Sequence, residues 1–282
     1  MRGHGLRGRV LVAAALLSGG CGSRSRPASE VAARDTTTRS APAPGPFLES
    51  GALLDTGAGA GDATQVSSLV AASAPGGDRF VVGLSRADGF PATRVGGVAV
   101  EFLRDQRVVR IRLPKEVLAT AITDNAFVGT FADRAYVVRG LDDTGLWVDL
   151  HLRAAAVARA SVQSSPALIV VELQSGGSML TAWPSVAGNI VVLKPPREGR
   201  VSYPLEITGY ARTFEANVEA ELRQSGVVKA RARATAADYA STWGEFRMQI
   251  AEGPHGPVEL WAGEHSAKDG SAQGVTVSLG VE

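Results

Sequence analysis

Short runs of alternating apolar and polar residues recur along the chain from about residue 80 to its end. In one of them Val109, Ile111 and Leu113 alternate with Arg110 and Arg112. Side chains of a strand point alternately to opposite faces, so a period of two predicts a strand with one buried face. Extended helical periodicity is scarce, and the pattern therefore predicts an all-β protein.

The first group of runs lies between residues 76 and 180 and predicts about seven short strands. Turn residues such as Ala87-Asp88-Gly89 and Asp142-Asp143-Thr144-Gly145 separate them. This spacing favours a sandwich or a small barrel. The predicted strands begin near Phe80, Val98, Val109, Ala135, Leu146, Ala155 and Ala167.

The second group occupies residues 188–282 and also predicts about seven strands, which suits an immunoglobulin-like sandwich. The predicted fold class is therefore all-β, with two β-sandwich domains in tandem. The strands of the second group are Ile190–Leu193, Leu205–Ala211, Val218–Arg223, Val227–Ala234, Trp243–Ile250, Val258–Glu264 and Val275–Val281.

The first 20 residues have the pattern of a secretion signal. Three arginines precede a short apolar run, Val10–Leu17, that is too short to span a bilayer, and small residues lead to Cys21. The placement of the only cysteine resembles the lipobox of bacterial lipoproteins. That resemblance implies cleavage before Cys21, lipid attachment to its thiol and an exported protein anchored to the bacterial membrane. The alternative is an ordinary signal peptide with an incidental cysteine.

Residues 21–75 are rich in Ser, Thr, Ala, Gly, Pro and Arg. Such a segment buries too little apolar surface to offset the entropy of ordering it, so we expect a disordered tether. A small apolar island within it could dock transiently, and it consists of Phe47, Leu48, Leu53 and Leu54.

Residues 76–180 resemble the AMIN-like domains of bacterial envelope proteins. The similarity rests on Asp88–Phe90, Val100–Phe102, Val109–Ile111, Leu146–Leu150 and Leu168–Leu173. It implies a β-sandwich with a localising role on peptidoglycan or other envelope polymers.

Residues 188–282 resemble the immunoglobulin-like domain of bacterial spore-germination (Gmad) proteins. Domains of this type also occur in envelope lipoproteins of bacteria that do not form spores, so a role in germination does not follow. The matching residues are Pro196, Gly199, Pro204, Leu205, Gly209, Ala211, Phe214, Glu215, Val218, Gly226, Phe246, Gly256, Leu260, Ser266 and Asp269–Ser271.

Strand alternation places three large aromatic residues, Tyr210, Trp243 and Trp261, on outer faces of the second domain. One hypothesis makes them a platform for a sugar polymer or a protein partner. The other, which we favour, has them packing against the first domain, or has a bulge turning one of them inward.

Composition and motifs argue against several functions. The 29 Lys and Arg nearly balance the 28 Asp and Glu, which disfavours a nucleic-acid surface, and a lone cysteine excludes an intrachain disulfide. Asp149 and His151 share a predicted outer strand face with Trp147, which favours a solvated face over a general-base pair. Asp269-Gly270-Ser271 favours a plain turn over a calcium site. We find no catalytic motif, metal site or cofactor site.

The sequence therefore predicts a non-enzymatic, lipid-anchored binding or scaffolding protein of a bacterial cell envelope. Its expected partners are the membrane, through Cys21, and peptidoglycan or other envelope proteins. One alternative is an accessory protein of spore formation or germination. An envelope hydrolase is less favoured, because it needs a catalytic site that the sequence does not display.

Overall fold

Strands dominate the computed structural model, which describes residues 44–178, 184–266 and 269–282. The predicted signal peptide, Cys21 and the first half of the predicted tether lie outside the described residues. Across the described part of the chain, no helix has the length and apolarity needed to cross a membrane.

The first eleven strands build one sandwich, and a short 3-10 helix, Arg104–Gln106, follows the fourth of them. The strands are β1 (Gly51–Asp55), β2 (Gln65–Ala74), β3 (Gly77–Ser85), β4 (Ala99–Leu103), β5 (Val108–Arg112), β6 (Ala119–Thr120), β7 (Asp124–Ala126), β8 (Ala132–Arg139), β9 (Leu146–Leu152), β10 (Ala156–Gln163) and β11 (Leu168–Ser175).

The other strands build a second sandwich, and a 3-10 turn, Phe214–Ala216, precedes its fifth strand. The strands are β12 (Ser185–Ala187), β13 (Ile190–Lys194), β14 (Arg200–Val201), β15 (Leu205–Ala211), β16 (Asn217–Gln224), β17 (Val227–Thr235), β18 (Trp243–Ile250), β19 (Gly256–His265) and β20 (Ala272–Val281). The predicted fold class, two β-sandwiches in tandem, is confirmed.

One ten-stranded sheet runs through both sandwiches in the order β1-β4-β5-β9-β8-β18-β15-β13-β12, with β7 also paired to β8. A five-stranded sheet, β10-β11-β3-β2-β6, completes the first sandwich, and another, β14-β20-β19-β16-β17, completes the second. Each sandwich has its own apolar core. The two cores are thus separate, although the long sheet is shared.

The shared sheet crosses from one sandwich to the other at a short parallel pairing of β8 with β18. Trp243 pairs with Val138 and Gly244 pairs with Arg139. A third apolar cluster draws on the faces of the shared sheet that point away from the two cores. The outer faces of the two sandwiches therefore pack against each other. The cluster consists of Val108, Tyr136, Val138, Trp147, Val191, Leu193, Tyr210 and Trp243.

The prediction of a disordered tether is wrong from β1 to β2. Strand β2 pairs with β3 along its length, and it buries Val66 and Leu69 in the first core. The pairing register shifts between Val66 and Ser68, which lets two residues three positions apart face the same side. This bulge breaks the period of two. The alternation that predicts a strand is therefore not visible in this sequence of small residues.

The apolar island also belongs to the first sandwich. Leu48 exchanges two backbone hydrogen bonds with Ala158 of β10, and the Arg159 guanidinium lies over the Phe47 ring. Leu53 of β1 is buried in the core. The island therefore bridges both sheets of the first sandwich, where a transient contact was expected.

Candidate functional site

The outer face of β9 lies buried between the two sandwiches. Trp147, Asp149 and His151 are each at most 5% exposed, although they point away from the first core. The prediction of a solvated face is wrong, because the second sandwich covers this part of the shared sheet. The buried face contains charged and aromatic groups, so their partners decide what it can do.

A buried ion pair occupies the centre of this face. Arg110 of β5 donates Nε to Oδ1 of Asp149 at 2.8 Å and Nη2 to Oδ2 at 2.7 Å. The guanidinium also lies 4.7 Å from the centroid of the Trp147 ring. Asp149 is thus held by Arg110 in a two-bond fork, which is the geometry that a planar guanidinium offers a carboxylate. The carboxylate does not orient His151.

His151 instead reaches the second sandwich. Its Nε2 atom is hydrogen-bonded to the Tyr210 hydroxyl of β15, and both residues are buried. Tyr136 of β8 completes an aromatic group, with ring centroids 4.8 Å from His151 and 5.2 Å from Tyr210. The Trp243 ring packs edge-on against Tyr136, and its Nε1 donates to Asp124 at 3.1 Å.

Two of the three predicted outward aromatics therefore lie in the contact between the sandwiches. Tyr210 and Trp243 do point away from the second core, as alternation predicted, but neither is accessible. The favoured hypothesis, packing against the first domain, is confirmed for both. Rings buried in this way have no open face on which a sugar could stack.

Trp261 lies on a different surface, the outer face of the second sandwich, and it is 5% exposed. A Cβ atom on Gly274 would come within 2.8 Å of its ring, so the indole lies directly over that glycine. Arg223 and His265 pack on the ring. The platform hypothesis fails here too, since these side chains cover the indole.

Burial also sets the protonation of the groups at the contact. Desolvation lowers the pKa of His151 to about 4, although the Asp149 carboxylate opposes the shift. Desolvation likewise raises the pKa of the Tyr210 hydroxyl well above its usual range. Near neutral pH both groups are uncharged, and this suits a structural hydrogen bond.

A cleft of about 490 Å³ opens beside this buried group. Strands β7, β8 and β9 line one side of the cleft. Residues in and next to β12 line the other side, together with Arg197, which follows the end of β13. The lining residues are Ala126, Asp133, Arg134, Tyr136, His151, Pro184, Val186 and Arg197. Both sandwiches contribute, so the cleft depends on how they dock.

The turn Asp269-Gly270-Ser271 is closed by its own hydrogen bonds. Asp269 Oδ1 accepts from the backbone N–H of Ser271 at 3.0 Å and from its hydroxyl at 2.7 Å. Among the residues that the structure describes, no three His, Cys, Asp or Glu side chains are grouped to hold a metal ion. The turn interpretation thus accounts for the contacts of this carboxylate.

Comparison with known proteins identifies part of the second sandwich. Residues 189–271 match the immunoglobulin-like domain of bacterial spore germination. The predicted resemblance of this module is thereby confirmed over β13 to β19. No curated protein and no solved structure shows significant similarity to the chain.

Sequence reasoning did not single out Tyr136, Arg134 or Arg197. One signal was present, since Ala135, Tyr136, Val137 and Val138 form an apolar run without polar alternation. Such a run indicates a strand buried on both faces. The arginines carried no comparable signal, because their proximity depends on the docking of the two sandwiches.

Proposed function

We propose that this protein is a non-enzymatic binding or scaffolding component of a bacterial cell envelope, exported and lipid-anchored through Cys21. In this role the two sandwiches present their outer surfaces to peptidoglycan or to other envelope proteins. The AMIN-like resemblance of the first sandwich belongs to this proposal. The match of residues 189–271 supports a bacterial origin for the second sandwich.

The main observation in support of a scaffolding role is the way in which the two sandwiches are joined. A shared sheet, the buried His151–Tyr210 hydrogen bond and the Trp243–Asp124 hydrogen bond link them. Arg212 adds a bond to Thr123 at 3.1 Å. A joint of this kind resists relative rotation of the modules, which suits a scaffold that holds its binding surfaces at a fixed angle.

The surroundings of Asp149 and His151 support a structural rather than a catalytic role. Asp149 is fully buried and paired with Arg110, while Nε2 of His151 is engaged by Tyr210. A general base must reach the proton that it abstracts from a substrate. Turnover of a wall fragment that is abolished by His151→Gln would contradict the non-enzymatic proposal.

Co-sedimentation of the purified full chain with isolated sacculi tests the envelope role. We expect the protein to pellet with sacculi and to stay in the supernatant without them. Recovery in the supernatant in both cases would count against contact with peptidoglycan. Anchoring is tested separately with Cys21→Ala, which should move the protein from the membrane fraction to the soluble fraction. A variant that stays with the membrane would refute lipid attachment.

The second candidate is an accessory protein of spore formation or germination, and the family match favours it. This role predicts expression confined to sporulation, and a germination defect when the gene is deleted. Expression during vegetative growth, together with normal germination of the deletion strain, would exclude it.

A further inference from the structure

The cleft between the sandwiches has the size of a small-molecule site. Its volume of about 490 Å³ falls within the roughly 300–1,000 Å³ that ligand pockets commonly occupy. One wall comes from Ala126, Asp133 and Arg134 of the first sandwich, and the other from Val186 and Arg197 near the start of the second. A ligand here would touch both modules at once.

The charged groups of the walls favour an anion. Arg134 and Arg197 supply two positive charges and Asp133 one negative charge, so two minus one leaves the lining at +1 while His151 is neutral. Arg197 is exposed, and Arg134 lies over the Tyr136 ring with its Nη1 atom 3.4 Å from the hydroxyl oxygen. Both arginines line the same cavity, one from each sandwich.

The floor adds two buried polar side chains, His151 and Tyr136, that line the cavity. His151 is 5% exposed and lines the cleft, and its Nε2 atom is used by Tyr210. Its other ring nitrogen, Nδ1, makes no hydrogen bond to residues 44–178, 184–266 or 269–282. The Tyr136 hydroxyl also lies at the floor and accepts from Arg134, which leaves its own proton to be donated.

Among the residues that the structure describes, the rest of the lining is small and apolar. Ala126, Pro184 and Val186 border the cleft, and Val186, in the middle of β12, is 40% exposed. A few placed polar groups among apolar walls are typical of sites that orient a small organic ligand. Asp133 disfavours a doubly charged anion, so a singly charged one fits better.

We propose that this cleft binds a small organic carboxylate with a short apolar substituent. Arg134 and Arg197 hold the carboxylate, Tyr136 and His151 form hydrogen bonds from the floor, and the substituent contacts Ala126, Pro184 and Val186. Guanidinium groups match the geometry of a carboxylate and bind it with charge-assisted hydrogen bonds. This site is independent of the envelope role, and it would stand even if the protein does not bind sacculi.

Calorimetric titration of the purified full chain with N-acetyl-dialanine tests the site, and the C-terminal amide of the same dipeptide is the matched probe. We expect the carboxylate to bind and the amide to bind at least about tenfold more weakly, since the amide loses the charge-assisted contacts. Equal binding of the two probes, or binding of neither, would overturn the proposal. Tighter binding of inorganic phosphate would overturn the choice of a carboxylate.

Variants locate the binding site on the molecule. Arg197→Gln and Arg134→Gln should each raise Kd for the carboxylate by about tenfold. Arg200→Gln is the control, because Arg200 lies three residues further along the chain, at the start of β14, is exposed, pairs with Glu282 and does not line the cleft. Arg197 is exposed, so its variant keeps the test valid even if Arg134→Gln disturbs the packing on Tyr136. An unchanged Kd in Arg197→Gln would refute the site.

Discussion

His151 and Tyr210 meet across the contact between the two sandwiches, where the imidazole Nε2 and the phenol hydroxyl share a hydrogen bond that is shielded from water. His151 belongs to β9 of the first sandwich and Tyr210 to β15 of the second. Their strands are not neighbours in the shared sheet. The bond therefore exists only when the outer faces of the sandwiches are packed together, and it reports directly on that packing.

Removal of the Tyr210 hydroxyl should weaken the contact between the sandwiches. Tyr210→Phe keeps the ring but leaves a buried ring nitrogen of His151 without its partner, at a cost of about 1–3 kcal/mol. Denaturant unfolding measures the difference in the free energy of unfolding. Tyr239→Phe is the control, because Tyr239 is 47% exposed, and it should change stability by less than about 0.5 kcal/mol. Equal effects of the two substitutions would contradict the role of the buried bond.

Stability should fall as the pH drops from about 6.5 towards 4. The folded pKa of His151 is about 4, and it lies below the ordinary value of 6.5 because burial disfavours the charged imidazolium. Between these values the unfolded chain binds more protons than the folded one, so the free energy of unfolding rises with pH. Asp149 opposes the shift, whereas Arg134 and Arg110 reinforce it.

The size of the effect follows from the gap between the two pKa values. It corresponds to a stability loss on the order of 3 kcal/mol at pH 4 relative to pH 7. His151→Gln should remove this part of the pH dependence, while His255→Gln, at an exposed turn residue, should retain it. Parallel pH profiles for wild type and His151→Gln would show that another group causes the loss.

The Arg110–Asp149 pair should be among the most sensitive positions in the chain. Asp149→Asn leaves the guanidinium of Arg110 in a largely dry site without its counter-ion, and breaking a buried pair in this way costs about 3–5 kcal/mol. The matched surface pair is Arg200 with Glu282, both well exposed, where Arg200→Gln should cost less than about 1 kcal/mol. Thermal unfolding of the two variants measures the contrast. A small loss in Asp149→Asn would mean that water reaches the pair.

Strand alternation predicted most of the fold. Of the contact between the sandwiches it predicted the direction of two side chains. It placed Tyr210 and Trp243 on the correct side of their strands, because side-chain direction depends only on local backbone geometry. Alternation alone could not choose between an accessible platform and the packing that we favoured, since burial depends on the pairing of Trp243 with Val138, about a hundred positions earlier. The same long-range pairing buries Asp149 and brings the arginines of the cleft together.

The failure at β2 has a local cause. Disorder was expected because Ser and Ala dominate residues 65–74, yet the strand buries Val66 and Leu69 through a bulge and pairs with β3. A period-two pattern cannot display a bulge, because the extra residue shifts the face of everything after it. The family resemblance predicted the second sandwich correctly, because several of its marker residues are glycines and prolines whose backbone demands are specific.

Deletion of β1 and β2 should therefore prevent the first sandwich from folding. A chain that begins at Gly76 lacks Leu53, Val66 and Leu69 of the first core, and it leaves the long edge of β3 unpaired. Each lost aliphatic side chain removes about 1.5–3 kcal/mol of burial free energy. The loss from all three is comparable with the free energy of unfolding of a typical domain, about 5–15 kcal/mol.

Near-ultraviolet circular dichroism and amide hydrogen exchange measure this effect. We expect the chain that begins at Gly76 to lose exchange protection in β3 and β11, whereas a chain that begins at Pro44 keeps every described residue and serves as the comparison. The joint between the sandwiches should suffer as well, because β8 and β9 need the first core beneath them to hold Tyr136 and His151 against Tyr210. Native-like protection in the shorter chain would mean that β2 only covers a sandwich that is stable without it.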